Sequence, residues 1–237
     1  MFIVTDTLQN LPFIQHAECG YLRAAPALKF CRVRFIKHQF QDVLFSQYAV
    51  PLPPALAGAV AKRKAEYLAG RYCAQYLLRQ SGCSDPVLTA ADRAPRWPTG
   101  WRGSLSHSGD IAFAVVSAQS DGLHPGIDIE HLQPGIMRES ADMFVDPAEQ
   151  ALLARCGLDI EWALLTAFSA KESLFKALYP RVLRMFDFNA ASMIALDPAS
   201  QRFTLRLNTT LGDEFPAGRR FSGDYQIREG SVVTCLY

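Results

Sequence analysis

The sequence lacks the marks of several protein classes. Its six cysteines form no C-x-x-C pair and no tight cluster, so we expect reduced thiols rather than a disulfide framework or a zinc site. It has no excess of either charge, with 24 basic and 23 acidic residues, which excludes a general nucleic-acid binder but allows a local basic pocket. The first residues, "MFIVTDTLQNLPFIQH", show no basic segment followed by a long apolar stretch, so we expect them not to be a signal peptide, and no apolar run is long enough to span a bilayer. We therefore predict a cytoplasmic protein with no membrane span.

The hydrophobic pattern predicts an α+β protein in two parts. The 237 residues, 49% of them hydrophobic, suffice for one large domain or two small ones. Alternating residues predict strands at 29–36, 111–118, 125–132, 203–208 and 231–237. The second and third of these strands could form a hairpin. Helical spacing predicts one helix that follows the prolines at 51–54 and stops near Gly82. The two parts meet near residue 125, which gives predicted domains of 1–124 and 125–237.

Two further helices are predicted in the second part. The first covers 146–157, with Asp146 as N-cap and a proline after it, and the second covers 159–180 and ends at Pro180. Between the predicted strands and helices lie two irregular segments. Residues 92–110 are rich in glycine, proline and serine and are predicted to be mostly loop. Residues 133–147 are predicted to be a long mobile segment.

Two carboxylates stand out in the stretch "GIDIEHL", residues 126–132. Asp128 and Glu130 are two residues apart, so on a strand they point to the same side. Like charges this close cost free energy unless something positive lies between them. The alternative is that both carboxylates lie on a solvated edge strand.

A third carboxylate, Glu172, poses a similar problem on the predicted helix 159–180. At about 100° per residue, it points the same way as an apolar stripe formed by Leu165, Phe168, Phe175 and Tyr179. A lone carboxylate there is costly. An ordinary ion pair with Lys176, four residues on, is one solution. The other is that Asp128, Glu130 and Glu172 converge on one hard divalent cation, since Mg²⁺ prefers oxygen ligands and keeps substrate phosphate in its shell.

A metal held by carboxylates suggests phosphoryl chemistry, and the sequence offers cationic groups for it. They are Arg63, Lys64, Arg71, Arg93, Arg96, His107, Lys171 and Lys176. The segment "GSLSHSG" (103–109) has small residues and hydroxyls that could wrap a phosphate. The alternatives are a solvated helix face for the first basic residues and a local hydrogen-bonding role for His107.

Four segments in this order resemble the 4'-phosphopantetheinyl transferases of the large monomeric type. They are "RKAEYLAGR" (63–71), "RAPRWPTGWRGSLSHS" (93–108), "GIDIE" (126–130) and "FSAKESLFKALYP" (168–180). Phe168 stands where many members have tryptophan. The resemblance implies transfer of the phosphopantetheine arm from coenzyme A to a serine of an apo carrier protein, with release of adenosine 3',5'-bisphosphate. It also implies two similar α+β halves related by a pseudo-two-fold, with coenzyme A in the cleft between them.

The resemblance assigns roles to the candidate residues. Asp128, Glu130 and Glu172 would hold Mg²⁺, and Glu172 is also the candidate base that takes the serine proton, with Lys176 as its catalytic partner. The residues that would contact coenzyme A are Arg63, Arg71, Arg93, Ser106, His107, Asp128, Lys171 and Lys176. Carrier proteins tend to be acidic around the modified serine. We expect a docking segment at 131–144 that exposes Met137, Arg138, Met143 and Phe144. The alternative is a packed lid with no role in partner binding.

Two other functions remain open at this stage. A Mg²⁺-dependent phosphohydrolase or nuclease also uses clustered carboxylates and a lysine, although the chain has no basic stripe for nucleic acid. A non-catalytic module that binds coenzyme A or a carrier would not need the carboxylates. We expect the transferase, acting as a monomer on acyl, peptidyl or aryl carrier proteins, but the sequence does not say which carrier it serves.

Overall fold

A computed structural model describes residues 1–9 and 11–237. The chain divides into two compact units, one of Phe2–Pro125 and one of Gly126–Tyr237 together with Met1. Each unit contains a five-stranded antiparallel sheet and one long helix. The prediction of a mixed helix and sheet protein is therefore confirmed.

The N-terminal unit is a sheet covered by one helix. Its strands, in spatial order, are β1 (Phe2–Gln9), β2 (Ile14–Leu22), β3 (Ala25–Phe35), β7 (Ile111–Ala118) and β6 (Trp101–Ser108). Helix α2 (Ala61–Gln80) packs on β3, β6 and β7, and its small residues Ala65, Ala69 and Ala74 are completely buried there. The predicted stop is confirmed, since the helix ends just before Gly82, which has a φ of +83°. The short elements of this unit are α1 (Val43–Gln47), β4 (Leu88–Thr89) and β5 (Pro95–Arg96).

The prediction of a loop over 92–110 is wrong for its second half. Residues Trp101–Ser108 form β6, which pairs along its whole length with β7. The glycine and serine content is tolerated because pairing with an apolar neighbour supplies the strand's stability. Gly103 has a specific packing reason, since a side chain there would collide with the Trp97 ring and the Val115 carbonyl. The stretch "GSLSHSG" is thus mostly strand.

The C-terminal unit has the same ingredients in a different strand order. Its strands, in spatial order, are β8 (Gly126–His131), β12 (Ser231–Leu236), β11 (Arg220–Arg228), β10 (Arg202–Leu207) and β9 (Ala191–Asp197). Helix α5 (Ile160–Val182) packs on β8 and β12. The predicted hairpin of β7 with β8 is wrong, because β8 pairs with the C-terminal strand β12, in another sheet from β7.

The segment predicted to be mobile, 133–147, contains the short helix α3 (Ile136–Glu139) and one 3-10 turn (Ala141–Met143). The helix predicted over 146–157 is present as α4 (Pro147–Leu153), which ends four residues earlier than predicted. The predicted N-cap of α4 is confirmed, because the Asp146 carboxylate accepts a hydrogen bond from the Glu149 N–H. Helix α5 does not end at Pro180 as predicted. Proline removes one backbone donor but its φ suits a helix, and the last turn closes at Leu183, whose φ is +53°. Within residues 1–9 and 11–237, we find no helix that combines the length and the apolar character needed to cross a membrane.

Candidate active site

The close contact between β8 and α5 depends on a missing side chain. A Cβ atom on Gly126 would lie 1.9 Å from the Ser173 carbonyl oxygen and 2.7 Å from the Ala177 nitrogen. Gly126, Asp128 and Glu130 share one face of the strand, since side chains two apart point the same way. The glycine therefore lets the helix approach the face that carries both carboxylates.

The Asp128 carboxylate is buried between the strand and the helix, with 2% of the residue exposed. The Ser169 hydroxyl donates a hydrogen bond to its Oδ2 at 2.8 Å. The Lys176 ammonium donates to its Oδ1 at 2.6 Å. Both carboxylate oxygens thus have partners, which a buried charge requires.

Glu172 lies in the same cluster. Burial raises the pKa of its carboxyl group, the negative charge of Asp128 raises it further, and the positive charge of Lys176 lowers it. The electrostatic coupling means that the three groups lie close to one another. A carboxyl group with a raised pKa next to a second carboxylate is typical of a functional site.

The apolar stripe predicted on α5 is not the face that packs on the sheet. The buried face consists mainly of small residues, whereas Phe168, Phe175 and Tyr179 are only half-buried. Small side chains at Ala163, Ala167, Ala170 and Ala177 allow the helix to lie close to the sheet. Glu172 therefore lies at the border of the core, where it can reach both Asp128 and solvent.

The structure does not gather all three predicted metal ligands into a ready-made site. Glu130 is half-buried on the same face of β8 as Asp128. Throughout the described ranges 1–9 and 11–237, there is no group of three or more acidic, histidine or cysteine side chains placed to hold a metal ion. A pair of carboxylates nevertheless fits Mg²⁺, which proteins bind through one or two carboxylates together with substrate phosphate. The repulsion between Asp128 and Glu172 is what such a cation would relieve.

A pocket of about 630 Å³ lies against this part of α5. Its walls are mainly apolar, with the half-buried Glu172 on one side. The lining residues are Lys171, Glu172, Leu174, Phe175, Met185, Phe186, Asp187, Phe188 and Ala191. A mostly apolar pocket with a few charged groups is the usual form of a small-molecule site.

The predicted role of Lys171 in binding phosphate needs correction. Its side chain is buried, and its ammonium donates to the Phe144 carbonyl at 2.6 Å, to Glu149 at 2.9 Å and to the Phe188 carbonyl at 3.2 Å. An ammonium has three hydrogens, so these acceptors use its full capacity. Glu149, also buried, accepts in addition from the Met193 N–H at 2.6 Å. Lys171 is the centre of a buried polar network that joins α4, α5 and β9.

The predicted docking segment is only partly exposed. Met143 is 76% exposed, but Phe144 is 3% exposed and packs against Phe168 and Phe188 in the core. Met137 is partly buried against the same core. Phe144 must therefore be removed from the predicted docking surface, because its side chain supports the fold from inside.

The arginines of the N-terminal unit that were predicted to contact coenzyme A fall into two groups. Arg63 and Arg93 are exposed, and Arg93 has a φ of +71° in the turn between β4 and β5. Arg71 is buried, with its guanidinium over the Tyr67 ring at 4.7 Å and bonded to Thr89 at 3.3 Å. Burial lowers the pKa of Arg71, and its Nε has no hydrogen-bond partner in the part of the chain that the structure describes.

Two other predicted contacts lie on strand β6. Ser106 is buried, and His107 beside it is half-buried. Their backbones pair with Phe113 and Ala112 of β7, which fixes their positions.

Sequence analysis missed the hydroxyl groups around Asp128. Ser169 belongs to the segment "FSAKES", but only the charged residues of that segment were assigned roles. Thr234 lies opposite Asp128 in the pairing of β8 with β12. Its signal is a polar residue inside the apolar strand "SVVTCL", which is buried at every position.

Comparison with known proteins identifies the family of the chain. The model of the 4'-phosphopantetheinyl transferase N-terminal domain matches residues 52–117, and that of the 4'-phosphopantetheinyl transferase superfamily matches residues 125–230. Enterobactin synthase component D of Escherichia coli is 41% identical over 172 residues, which cover 72% of this chain and 75% of the relative.

Two relatives cover more of the chain. The 4'-phosphopantetheinyl transferase Svp of Streptomyces mobaraensis is 34% identical over 213 residues, which cover 84% of this chain and 83% of the relative. The 4'-phosphopantetheinyl transferase PptT of Mycobacterium tuberculosis is 32% identical over 217 residues, with 83% of this chain and 92% of the relative covered. The chain therefore belongs to the 4'-phosphopantetheinyl transferase superfamily.

Proposed function

We propose that the protein transfers the 4'-phosphopantetheine arm of coenzyme A to a serine of an apo carrier protein at a centre formed by Asp128, Glu172 and Lys176. The reaction depends on Mg²⁺ and releases adenosine 3',5'-bisphosphate. The observation that carries this proposal is the coupled cluster of two carboxylates and one ammonium, beside an apolar pocket. Clustered carboxylates and a lysine suit phosphoryl transfer, in which catalysis is mainly positioning and charge stabilisation.

Asp128 and Glu172 would hold the metal, and Glu130 on the same face of β8 is the third candidate ligand. Mg²⁺, when bound, would supply positive charge next to the diphosphate of coenzyme A. The carboxylates are hard oxygen donors, and Ser169 orients Asp128 from behind. This arrangement agrees with the way Mg²⁺ sites are completed by substrate oxygens and water.

Glu172 is the proposed general base. Burial is the main cause of its raised pKa, and burial favours proton uptake by the carboxylate. It lies at the border of the core and lines the pocket, so a serine hydroxyl brought to the pocket can approach it. The proton would leave the serine for the Glu172 carboxylate, directly or through water.

Lys176 is the proposed phosphate contact on α5. Its side chain is 25% exposed while it is paired with Asp128, so an anion can approach the ammonium from solvent. Its charge would offset the negative charge that builds up on the phosphate oxygens. Lys171 is left out of this role because protein acceptors already surround its ammonium.

The N-terminal unit would bind the nucleotide end of coenzyme A. We assign this role to Arg63, Arg71, Arg93, Ser106 and His107. The buried Nε of Arg71 supports the assignment, since a buried donor without a partner costs free energy. A phosphate oxygen of the nucleotide would provide the missing acceptor.

The pocket beside Glu172 would hold the pantetheine arm. The arm is a flexible chain with apolar stretches, and most of the pocket wall is apolar. Phe175, Phe186 and Phe188 would pack against it. This position leaves the diphosphate near Glu172, where the transferred bond must break.

Carrier proteins would dock on the segment 131–144, in which Met143 is the most exposed apolar residue. Arg138 is exposed on the same segment and pairs with Glu161 at 3.3 Å. A flexible methionine together with a basic residue suits acidic partners of varied shape. We assign Met137 a supporting role because it is partly buried, and we propose that the transferase acts as a monomer, which light scattering in solution tests.

The test is an assay with coenzyme A, Mg²⁺ and several apo carriers, in which mass spectrometry detects the added arm. Glu172→Gln should lower turnover by orders of magnitude, and Lys176→Ala should slow the reaction through lost phosphate contact. Asp213→Asn, which neutralises an exposed carboxylate of the same unit, is the matched control and should behave as wild type.

The assignments fail if either site variant keeps a normal rate with Mg²⁺ present. Activity that survives removal of divalent metal would overturn the metal site. Hydrolysis of phosphoesters without any carrier would instead favour a phosphohydrolase, and binding without mass transfer would favour a non-catalytic module. Rates compared among fatty-acid, polyketide, peptide and siderophore carriers would identify the pathway.

A further inference from the structure

Three buried hydroxyl groups form a chain that ends on Asp128. Ser169 donates to the Asp128 Oδ2 at 2.8 Å. Its oxygen lies 2.9 Å from the hydroxyl of Thr234, which in turn lies 2.7 Å from the hydroxyl of Ser173. Ser169, Ser173 and Thr234 are completely buried. Of the four residues in this hydrogen-bonded series, Asp128 alone is a proposed metal ligand.

The charge of Asp128 sets the direction of the hydrogen bonds nearest to it. A carboxylate only accepts, so the single hydrogen of Ser169 must point to Asp128, and the Thr234 hydroxyl then donates to Ser169. The Ser173 hydroxyl donates to Thr234, where it has two acceptors, the hydroxyl at 2.7 Å and the backbone carbonyl at 3.0 Å. Aligned hydroxyls polarise one another and strengthen the bond at the end of the series. The arrangement therefore directs three dipoles at one carboxylate oxygen.

Sheet register places Thr234 in this chain. Thr234 is directly opposite Asp128 in the pairing of β8 with β12, so the two side chains share the face that α5 covers. Ser169 and Ser173 are four residues apart on α5 and point to the same face. Thr234 lies beyond residue 230, where the match to the superfamily model ends.

We propose that Thr234 is a positioning residue that acts through Ser169 to hold the Asp128 carboxylate in its metal-binding orientation. The proposal rests on the proposed function, because it assumes that Asp128 binds the metal. Lys176 holds the other carboxylate oxygen, so the hydroxyl chain and the lysine together leave Asp128 one orientation. Loss of a partner that orients a metal ligand typically lowers metal affinity or activity by roughly 10–100-fold.

The experiment compares Thr234→Val, Thr234→Ser and Thr166→Val. Valine keeps the branched shape of threonine without the hydroxyl, and serine keeps the hydroxyl. Thr166 is the matched control, since it is a completely buried threonine on α5 whose hydroxyl donates to the Trp162 carbonyl at 2.7 Å, within its own helix. Each variant is measured for thermal unfolding and for Mn²⁺ binding in the presence of coenzyme A, by electron paramagnetic resonance. The Mg²⁺ concentration for half-maximal transfer is the third measurement.

Thr234→Val should weaken Mn²⁺ binding and raise the half-maximal Mg²⁺ concentration by roughly tenfold. Thr234→Ser should stay close to wild type in both. Thr166→Val should lower thermal stability and leave the metal measurements unchanged. If Thr234→Val changes only thermal stability, as Thr166→Val does, Thr234 is merely structural and the proposal is overturned.

A second variant covers the case in which Thr234→Val does not fold. Ser173→Ala removes the hydroxyl at the far end of the chain, and it should shift the metal measurements in the same direction by a smaller factor. Normal metal binding in Ser173→Ala would then overturn the proposal. Failure of the proposed function has a separate signature, since Asp128→Asn would then bind Mn²⁺ as well as wild type.

Discussion

Lys171→Met separates the two roles that the sequence and the structure give to this lysine. The sequence predicted a contact with phosphate, whereas the structure places its ammonium 2.9 Å from the buried carboxylate of Glu149. Methionine has a similar length and no charge, so it fills the same space. The substitution should therefore destabilise the protein and leave the affinity for coenzyme A unchanged.

The burial of the pair sets the size of the effect. The side chains of Lys171 and Glu149 are 4% and 2% exposed, and removal of one partner from a buried pair costs about 3–5 kcal/mol. With an m value of roughly 2 kcal/mol per molar urea, the unfolding midpoint should fall by about 2 M. Burial lowers the pKa of Lys171 despite the opposing effect of Glu149. Desolvation therefore outweighs the attraction, and the stability loss comes mainly from the charge left behind.

Urea unfolding and coenzyme A titration check both halves of this reasoning. The double variant Lys171→Met with Glu149→Gln leaves no buried charge, and it should recover about half of the lost free energy. Lys176→Met is the contrasting variant, because Lys176 is partly exposed and should affect transfer more than stability. If Lys171→Met unfolds at the wild-type urea concentration but binds coenzyme A weakly, the buried-pair interpretation is refuted.

Three further predictions test other parts of the fold. Gly126→Ala forces a Cβ to within 1.9 Å of a carbonyl oxygen of α5, and it should lower the free energy of unfolding in urea by about 3 kcal/mol or more. The matched variant Gly70→Ala has open space around its Cβ and should raise that free energy by about 0.5–1 kcal/mol. Asp146→Ala should cost about 1 kcal/mol at neutral pH. The hydrogen bond from the Glu149 N–H lowers the pKa of Asp146, so the stability difference between wild type and variant should shrink as the pH falls below the ordinary pKa of 3.8. A stability difference that does not change with pH contradicts the capping role. Phe144→Ala should lower the free energy of unfolding by about 3–5 kcal/mol, while Met143→Ala should raise only the KM for the carrier. If Phe144→Ala raises that KM and Met143→Ala lowers stability, Phe144 belongs to the docking surface.

Local patterns predicted the elements that local chemistry determines. The N-cap at Asp146, the strand over 126–131 and the long helix α5 each have a signal within a few residues. The strand β6 has no such signal, because glycine and serine favour loops and only pairing with β7 makes the segment extended. The mistaken hairpin of β7 with β8 has the same cause. The true partner of β8 is β12, about a hundred residues later in the chain, and a distant partner cannot be identified from spacing alone.

The site was predicted best where charge density was the signal. Asp128 and Glu172 were predicted to lie together because each carboxylate required compensation, and the effect of the Asp128 charge on the pKa of Glu172 agrees with that proximity. Charge alone did not distinguish Lys171 from Lys176, which are both close to Glu172 in sequence. Their difference arises from helix geometry, since five residues advance a helix by about 500°, or 140° beyond a full turn. One lysine therefore points to Glu149 and the other to Asp128.

The charge cluster depends on how closely α5 and β8 approach each other, and that approach depends on sterics. Gly126 has no side chain, and the Ser173 carbonyl occupies the space that a Cβ would need. Asp128 is the next residue on the same face of the strand, and Glu172 precedes Ser173 on the helix. An added methyl group at Gly126 would separate the backbones that carry the two carboxylates, so the burial that mainly raises the pKa of Glu172 and its repulsion by Asp128 would both fall. The pKa of Glu172 should therefore move toward its ordinary value in Gly126→Ala even where the protein remains folded. Carboxyl chemical shifts followed by NMR against pH would measure this change, and an unaltered Glu172 titration would show that the close backbone contact does not set the electrostatics of the site.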